Sequence, residues 1–149
     1  MALTGTYVPS AAGWVRDQVA EYEASDGEKA GTLRGSKYPV VVITSVGSKS
    51  GNLRKNPVMR VERDGAYLAV ASKGGADDDP AWADNFRKHP EVDLQDKAEK
   101  HTYTVRELSG EERQDWWQHA VATWSTYASY QEKTDRLIPL FLLERKPEA

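Results

Sequence analysis

The sequence predicts an α+β protein, an antiparallel barrel with helices packed outside. Three observations carry this. Strand-like runs arrive as hairpins rather than as strand–helix–strand units, which argues against a Rossmann sheet. Asp64-Gly65 separates two such runs, Val58 to Arg63 and Ala66 to Ser72, and two residues with positive φ match the twist of the strands they join. The 149 residues amount to one domain, 1–149, large enough to bury a core unaided.

Each element follows in order. Residues 1–27 read as an N-terminal tail and helix. Ser10 is placed to cap a helix from about Ala11 to Ala24, with Val15, Val19 and Tyr22 on one face. Asp26-Gly27 stops it. Residues 28–38 lack periodicity and read as loop. Tyr38 to Val46 is a β-branched run and reads as a buried strand. A polar loop covers 47–56, followed by the Asp64-Gly65 hairpin. Asp79-Pro80 opens a short helix, with Asp as cap, and His89-Pro90 closes it. Residues 91–97 and 100–108 form a second hairpin. Ser109-Gly110-Glu111-Glu112 reads as a capping box before a helix carrying Trp116, Trp117, Ala120, Val121 and Trp124. Leu137 to Leu143 is a last strand, where Pro139 implies an edge or a strand start.

Composition removes several functions. Lys plus Arg is 20 against Asp plus Glu 23, net −3, the wrong sign for a dedicated nucleic-acid binder. Cysteine is absent, which removes disulfides, thiolate catalysis and Cys-type metal sites. No metal is expected, because His89, His101 and His119 are isolated in sequence. No secretory signal and no membrane-spanning run is read. Five Trp and seven Tyr beside two Phe suit a flat ligand or an interface as well as a core.

Three groups of residues could carry chemistry. Between Gly47 and Val61 stand Lys49, Arg54, Lys55 and Arg60, with no acid among them. Small residues let backbone N–H groups face an anion, and the cations add charge-assisted hydrogen bonds. A phosphate or polycarboxylate ligand and a solvated basic turn both fit. The loop fits neither a P-loop nor a nucleophile elbow. On an extended strand Val58, Arg60 and Glu62 share a face, so Arg60 would extend the cationic patch, with Met59 on the other face. The second group is Ser72-Lys73-Gly74-Gly75, followed by Trp82 and Asn85 three apart. Glycines permit close backbone approach to a ring, and an aromatic wall with an amide suits a heterocycle. A glycine turn beside a core Trp is the other reading. The third group is Trp124, Tyr127 and Tyr130, a helical stripe that serves as core or as pocket edge. A tyrosine, ordinarily titrating near 10, can donate a hydrogen bond or a proton.

These segments resemble a known family. Pro39 to Gly51, Arg54-Lys55-Asn56-Pro57-Val58, Ala71-Ser72-Lys73-Gly74-Gly75-Ala76, Pro80 to Asn85 and Tyr127 to Pro139 are similar, in order and spacing, to the deazaflavin-dependent nitroreductases of actinobacteria. The resemblance covers roughly residues 31–145. It implies a split β-barrel of the flavin-binding type and coenzyme F-420, an 8-hydroxy-5-deazaflavin with a phosphate and an oligoglutamate tail. It implies cofactor contacts from Lys49, Ser50, Arg54, Lys55 and Arg60 to the tail and from Ser72, Lys73, Gly74, Trp82 and Asn85 to the ring. Pro57, Gly75 and Ala76 would also touch the cofactor. Met59, Ser72, Trp124, Tyr127 and Tyr130 would meet the substrate, with Trp124 where a third tyrosine is often found.

The implied activity is hydride transfer from reduced coenzyme F-420 to a quinone or a nitroimidazole. Ser72 and Tyr130 would be catalytic: both hydrogen-bond the acceptor, and Tyr130, or a water beside it, delivers the proton. Other readings are a flavin-mononucleotide oxidoreductase on the same barrel, a deazaflavin carrier without turnover, and a basic-loop nucleic-acid module. A cytoplasmic protein is expected, with at most weak peripheral contact at the inner membrane face. Asp17, Glu21 and Glu23 make residues 1–27 less basic than a lipid-binding helix.

Overall fold

The computed structural model describes residues 3–33 and 36–147. Helix α1 (Gly13–Ala24) precedes strands β1 (Val40–Val46), β2 (Leu53–Met59), β3 (Glu62–Arg63) and β4 (Ala66–Val70). A 3-10 turn (Lys73–Gly75), α2 (Ala81–Lys88), β5 (Glu91–Asp96) and β6 (Glu99–Glu107) follow. Helices α3 (Gly110–Thr123) and α4 (Thr126–Glu132) then lead to β7 (Leu140–Arg145).

The seven strands form one antiparallel sheet in the order β2-β1-β5-β6-β7-β4-β3. The outermost strands, β2 and β3, are joined by Arg60 and Val61 alone. Three Cα–Cα steps reach at most about 11 Å, so the sheet must curl until its two edges meet. The link is bonded on both sides: Arg60 N–H donates to Pro39 O at 2.9 Å, and Val61 O accepts from Leu68 N–H at 2.8 Å. This is the curled, split barrel the sequence predicts. Asp64 (φ 55°) and Gly65 (φ 85°) make the hairpin as read.

The apolar run in β1 is buried on both faces. Val41 and Ile43 join Val58, Ala69, Val92, Leu94, Phe141 and Leu143 inside the barrel, where Ala83 and Phe86 of α2 close one end. Val40 and Val42 face outward under Val15, Val19 and Tyr22 of α1. On the opposite outer face, Trp116, Ala120 and Tyr127 from α3 and α4 cover Met59, Val61, Leu68, Leu140 and Leu142. Burying each large aliphatic side chain contributes about 1.5–3 kcal/mol.

Several local expectations are corrected. Helix α1 begins at Gly13, and the Ser10 hydroxyl accepts the Ala12 N–H ahead of it. Helix α2 begins at Ala81, because the Asp79 carboxylate is taken by Arg87 and Arg136 instead of capping. No capping box forms at Ser109: Glu112 accepts two hydrogen bonds from Arg106, each 2.6 Å. The aromatic stripe is not one continuous helix, since Trp124 is extended (φ −148°, ψ 102°) between α3 and α4. Strand β2 starts at Leu53, five residues before the predicted run, and β7 starts after Pro139, which precedes a central strand.

Burial pushes the phenols of Tyr22, Tyr67, Tyr103 and Tyr127 above the ordinary tyrosine range; the Asp96 carboxylate adds to this at Tyr67. The folded chain therefore holds these protons where the unfolded chain has lost them. Their contribution to stability is complete below the unfolded value of about 10 and falls as pH rises through the folded values. Denaturant midpoints should stay flat up to about pH 10 on this account and then decline. Tyr127→Phe should make that decline shallower. An equal decline in the variant would remove Tyr127 as a cause.

Candidate active site

Strands β1 and β4 end at the same rim of the barrel, because the four antiparallel pairings that lead from β1 through β5, β6 and β7 to β4 leave the two running in the same direction. That rim carries the 47–52 loop, the Lys73–Gly75 turn and α2. A groove of about 750 Å³ opens there. Lys49, Ser50, Arg54 and Pro57 line it from the loop and β2, Lys73 from the turn, and Trp82 and Asn85 from α2.

The loop is tied down before any ligand arrives. Gly47 N–H donates to Asn52 O at 2.7 Å, and Gly51 N–H returns to Gly47 O at 3.0 Å. Ser48 N–H donates to Asn85 Oδ1 at 2.9 Å, while the Asn85 amide nitrogen donates to Ser45 Oγ at 3.2 Å. Asn85 thus borders the groove but uses one end of its amide to tie the loop to α2 and the other to tie β1 to α2. Trp82 packs on Phe86 (4.9 Å between ring centroids) and Phe141 (6.1 Å). It is groove wall and core extension at once.

The four cations of the basic segment part company. Lys49 and Arg54 line the groove, and among the described residues neither has an ion pair. Lys55 points to the outer face, with Nζ 2.5 Å from the Glu23 carboxylate and 4.8 Å from the centre of the Tyr7 ring. Arg60 lies at the opposite end of the barrel. Its Nε donates to Asp96 Oδ2 at 2.8 Å, and the Tyr67 hydroxyl donates to the same oxygen at 2.6 Å. The structure therefore corrects the picture of one continuous patch: Lys55 and Arg60 are removed from it by long-range acids. Lys73 carries a surface pair with Asp78 at 2.9 Å, and that bond holds the Asp78 carboxyl below its ordinary range. So exposed a pair contributes little to stability.

The turn after β4 is backbone-strained. Lys73, Gly74 and Gly75 have φ of 46°, 65° and 85°, all left-handed, a region a non-glycine residue enters at a cost. Ser72 precedes it, mostly buried, and its hydroxyl makes no hydrogen bond among the described residues. Ala76 follows, its carbonyl accepting from Arg136 Nε at 2.8 Å. Gly75 presses on α4: a Cβ there would lie 2.8 Å from the Tyr130 carbonyl oxygen.

Helix α4 brings the aromatic group to this turn from the other side. Trp124 meets Tyr38, Tyr127 and Tyr130 with ring centroids 5.9, 5.1 and 5.6 Å apart. Tyr130 is half-buried, with Lys133 Nζ 5.3 Å from its ring centre. Met59 and Tyr127 are placed in the outer core, 5% and 3% exposed, and present no open face.

Sequence reasoning missed Trp14. It lies on the polar side of α1, 45% exposed, and lines the groove with Ser48 and Asn56. A tryptophan off the apolar stripe was the available signal. Among the described residues no helix is long and apolar enough to cross a membrane.

Comparison with known proteins places this arrangement. The profile described as F420H(2)-dependent quinone reductase matches residues 14–145. An F420H(2)-dependent quinone reductase of Mycobacterium tuberculosis is 25% identical over 130 residues, covering 85% of this chain and 87% of its own. A solved F420-H2 dependent reductase is 50% identical, with a TM-score of 0.68, over 71% of this chain and 94% of its own. A second solved chain, described as a domain-swapped dimer, is 45% identical with a TM-score of 0.70, over 91% of this chain and all of its own.

Proposed function

This chain belongs to the F420H(2)-dependent quinone reductase family, oxidoreductases with reduced coenzyme F-420 as hydride donor, and from that premise we propose how its residues divide the work. Lys49, Ser50 and Arg54 hold the anionic tail of the coenzyme. Pro57, Lys73 and Trp82 border its ring. Ser72 and Tyr130 meet the acceptor, a small quinone or, by the same chemistry, a nitroimidazole.

One observation carries this reading. Among the described residues Lys49 and Arg54 stand in the groove without an acidic partner, while Lys55, Arg60 and Lys73 are each paired with acids. Two such cations, one on the tied loop and one on β2, are suited to a ligand bearing more than one negative charge. A polyanionic tail fits that donor set better than a single phosphate.

When bound, the coenzyme supplies two electrons as hydride. The remaining tasks belong to side chains. The Ser72 hydroxyl, uncommitted within the described protein, donates to the acceptor oxygen as negative charge develops there. The Tyr130 phenol supplies a proton to that oxygen. Trp124 sets the width of the acceptor side, backed by the buried Tyr127 and Met59.

Tyr130→Phe should lower kcat by about 10²-fold or more if it is the proton donor. Ser72→Ala should lower it by roughly 10²-fold. Both are measured with reduced coenzyme F-420 and menadione, then with a nitroimidazole. Unchanged turnover of both acceptors in Tyr130→Phe would remove it from the chemistry.

A further inference from the structure

Arg136 lies in the segment between α4 and β7 and touches neither the groove nor the aromatic cluster. Its side chain is 16% exposed, and all three guanidinium nitrogens donate to one stretch of chain. Nε donates to Ala76 O at 2.8 Å. One terminal nitrogen donates to Asp79 Oδ1 at 2.8 Å, and the other to Ala71 O at 3.1 Å and Ser72 O at 2.9 Å. These carbonyls flank the Lys73–Gly75 turn on both shoulders.

The turn needs such support. Three successive left-handed residues, one of them a lysine, are held internally by Gly75 N–H to Ser72 O at 2.9 Å and Ala76 N–H to Lys73 O at 3.2 Å. Strained backbone persists only where its surroundings over-determine it. The planar guanidinium, with donors in a fixed fork, can grip several oxygens at set angles, which an ammonium cannot. Arg136 is itself fixed. Its N–H donates to Thr134 Oγ1 at 3.3 Å, its carbonyl accepts from Gln131 Nε2 at 2.7 Å, and Thr134 Oγ1 donates to Asp77 at 2.9 Å. Gln131 lies on α4, next to Tyr130. One side chain therefore joins the turn bearing Ser72 and Lys73 to the helix bearing Tyr130.

We propose that Arg136 is the positioning residue of the active site: its guanidinium holds both shoulders of the Lys73–Gly75 turn and so fixes Ser72 in register with α4. This rests on the role assigned above to Ser72. Small displacements of a positioned group are expensive, about 10²-fold in rate for roughly 1 Å.

The test is a double-mutant cycle with reduced coenzyme F-420 and menadione, with a melting curve for each variant. Arg136→Lys keeps the charge beside Asp79 but loses the fork. It should lower kcat at least about tenfold with KM within about threefold. Because Arg136 acts through Ser72, adding Arg136→Lys to Ser72→Ala should slow the enzyme little further. If the two losses multiply instead, Arg136 does not act through Ser72, and the proposal falls while the role of Ser72 stands. If Arg136→Lys is folded and turns over as the parent does, the proposal also falls. If Ser72→Ala alone keeps full kcat, the assignment of Ser72 falls, and the proposal with it. Should Arg136→Lys not fold, Asp79→Asn, which unpins the guanidinium without removing it, takes its place in the cycle with the same criteria.

Discussion

Replacing Lys49 and Arg54 together by alanine is expected to weaken binding of coenzyme F-420 by about a hundredfold. Each can give the anionic tail a charge-assisted hydrogen bond, worth about 1.5–3 kcal/mol, and about 1.4 kcal/mol is a factor of ten in affinity. Solvent screening at the open groove favours the lower end. Arg60→Ala and Lys55→Ala should leave the dissociation constant within about threefold. Their charges are already bound, to Asp96 at 2.8 Å and Glu23 at 2.5 Å, away from the groove. Arg60→Ala should instead lower stability by about 1–2 kcal/mol, since among the described residues Asp96 then keeps the Tyr67 hydroxyl alone and Arg60 is itself partly exposed. A fluorescence titration of the four variants reads the first effect and denaturant unfolding the second. If Arg60→Ala weakened the coenzyme as much as the double variant, the assignment of the tail to the loop would be wrong.

That contrast marks where the sequence stops being legible. Local chemistry could be read: the β-branched run of β1, the Asp64-Gly65 turn and the glycine turn after β4 each follow from residues beside one another. The partners of Lys55 and Arg60 could not. Glu23 and Asp96 lie 32 and 36 residues away, and only the closing of the barrel brings them near. The same limit explains β2. Arg54-Lys55-Asn56-Pro57 has the composition of a loop, yet it pairs along β1, Ser45 with Arg54 and Val42 with Pro57. Pro57 is tolerated because β2 is an edge strand of the sheet.

The aromatic group was legible by type but not by placement. Trp124, Tyr127 and Tyr130 do gather in one cluster. The extended Trp124 breaks the helix there, which sends Tyr127 into the outer core and leaves Tyr130 beside the turn. Helical spacing alone cannot report such a break. The capping signals failed for a related reason. Asp79 and Glu112 have the chemistry of caps, but guanidinium groups from Arg87, Arg136 and Arg106 compete for them and win. The bond to arginine joins two opposite charges and can be bidentate, whereas a cap joins the carboxylate to a single neutral N–H.

Gly75→Ala should disable the enzyme, with kcat down by about 10²-fold, while Gly74→Ala beside it should not. Both glycines are left-handed, φ 85° and 65°, so each alanine costs about 1–2 kcal/mol in backbone strain. Their surroundings differ. A Cβ at Gly74 meets nothing within 4 Å. A Cβ at Gly75 would stand 2.8 Å from the Tyr130 carbonyl and 3.1 Å from the Lys133 Cβ and Cδ. The carbonyl belongs to helix backbone and cannot swing aside, so the turn and α4 must separate. That separation draws Ser72 away from Tyr130, the two groups assigned to the acceptor. Gly74→Ala bears the same strain without the separation, and its kcat should stay within about threefold. Equal losses in the two variants would mean that strain in the turn, and not its contact with α4, sets the rate.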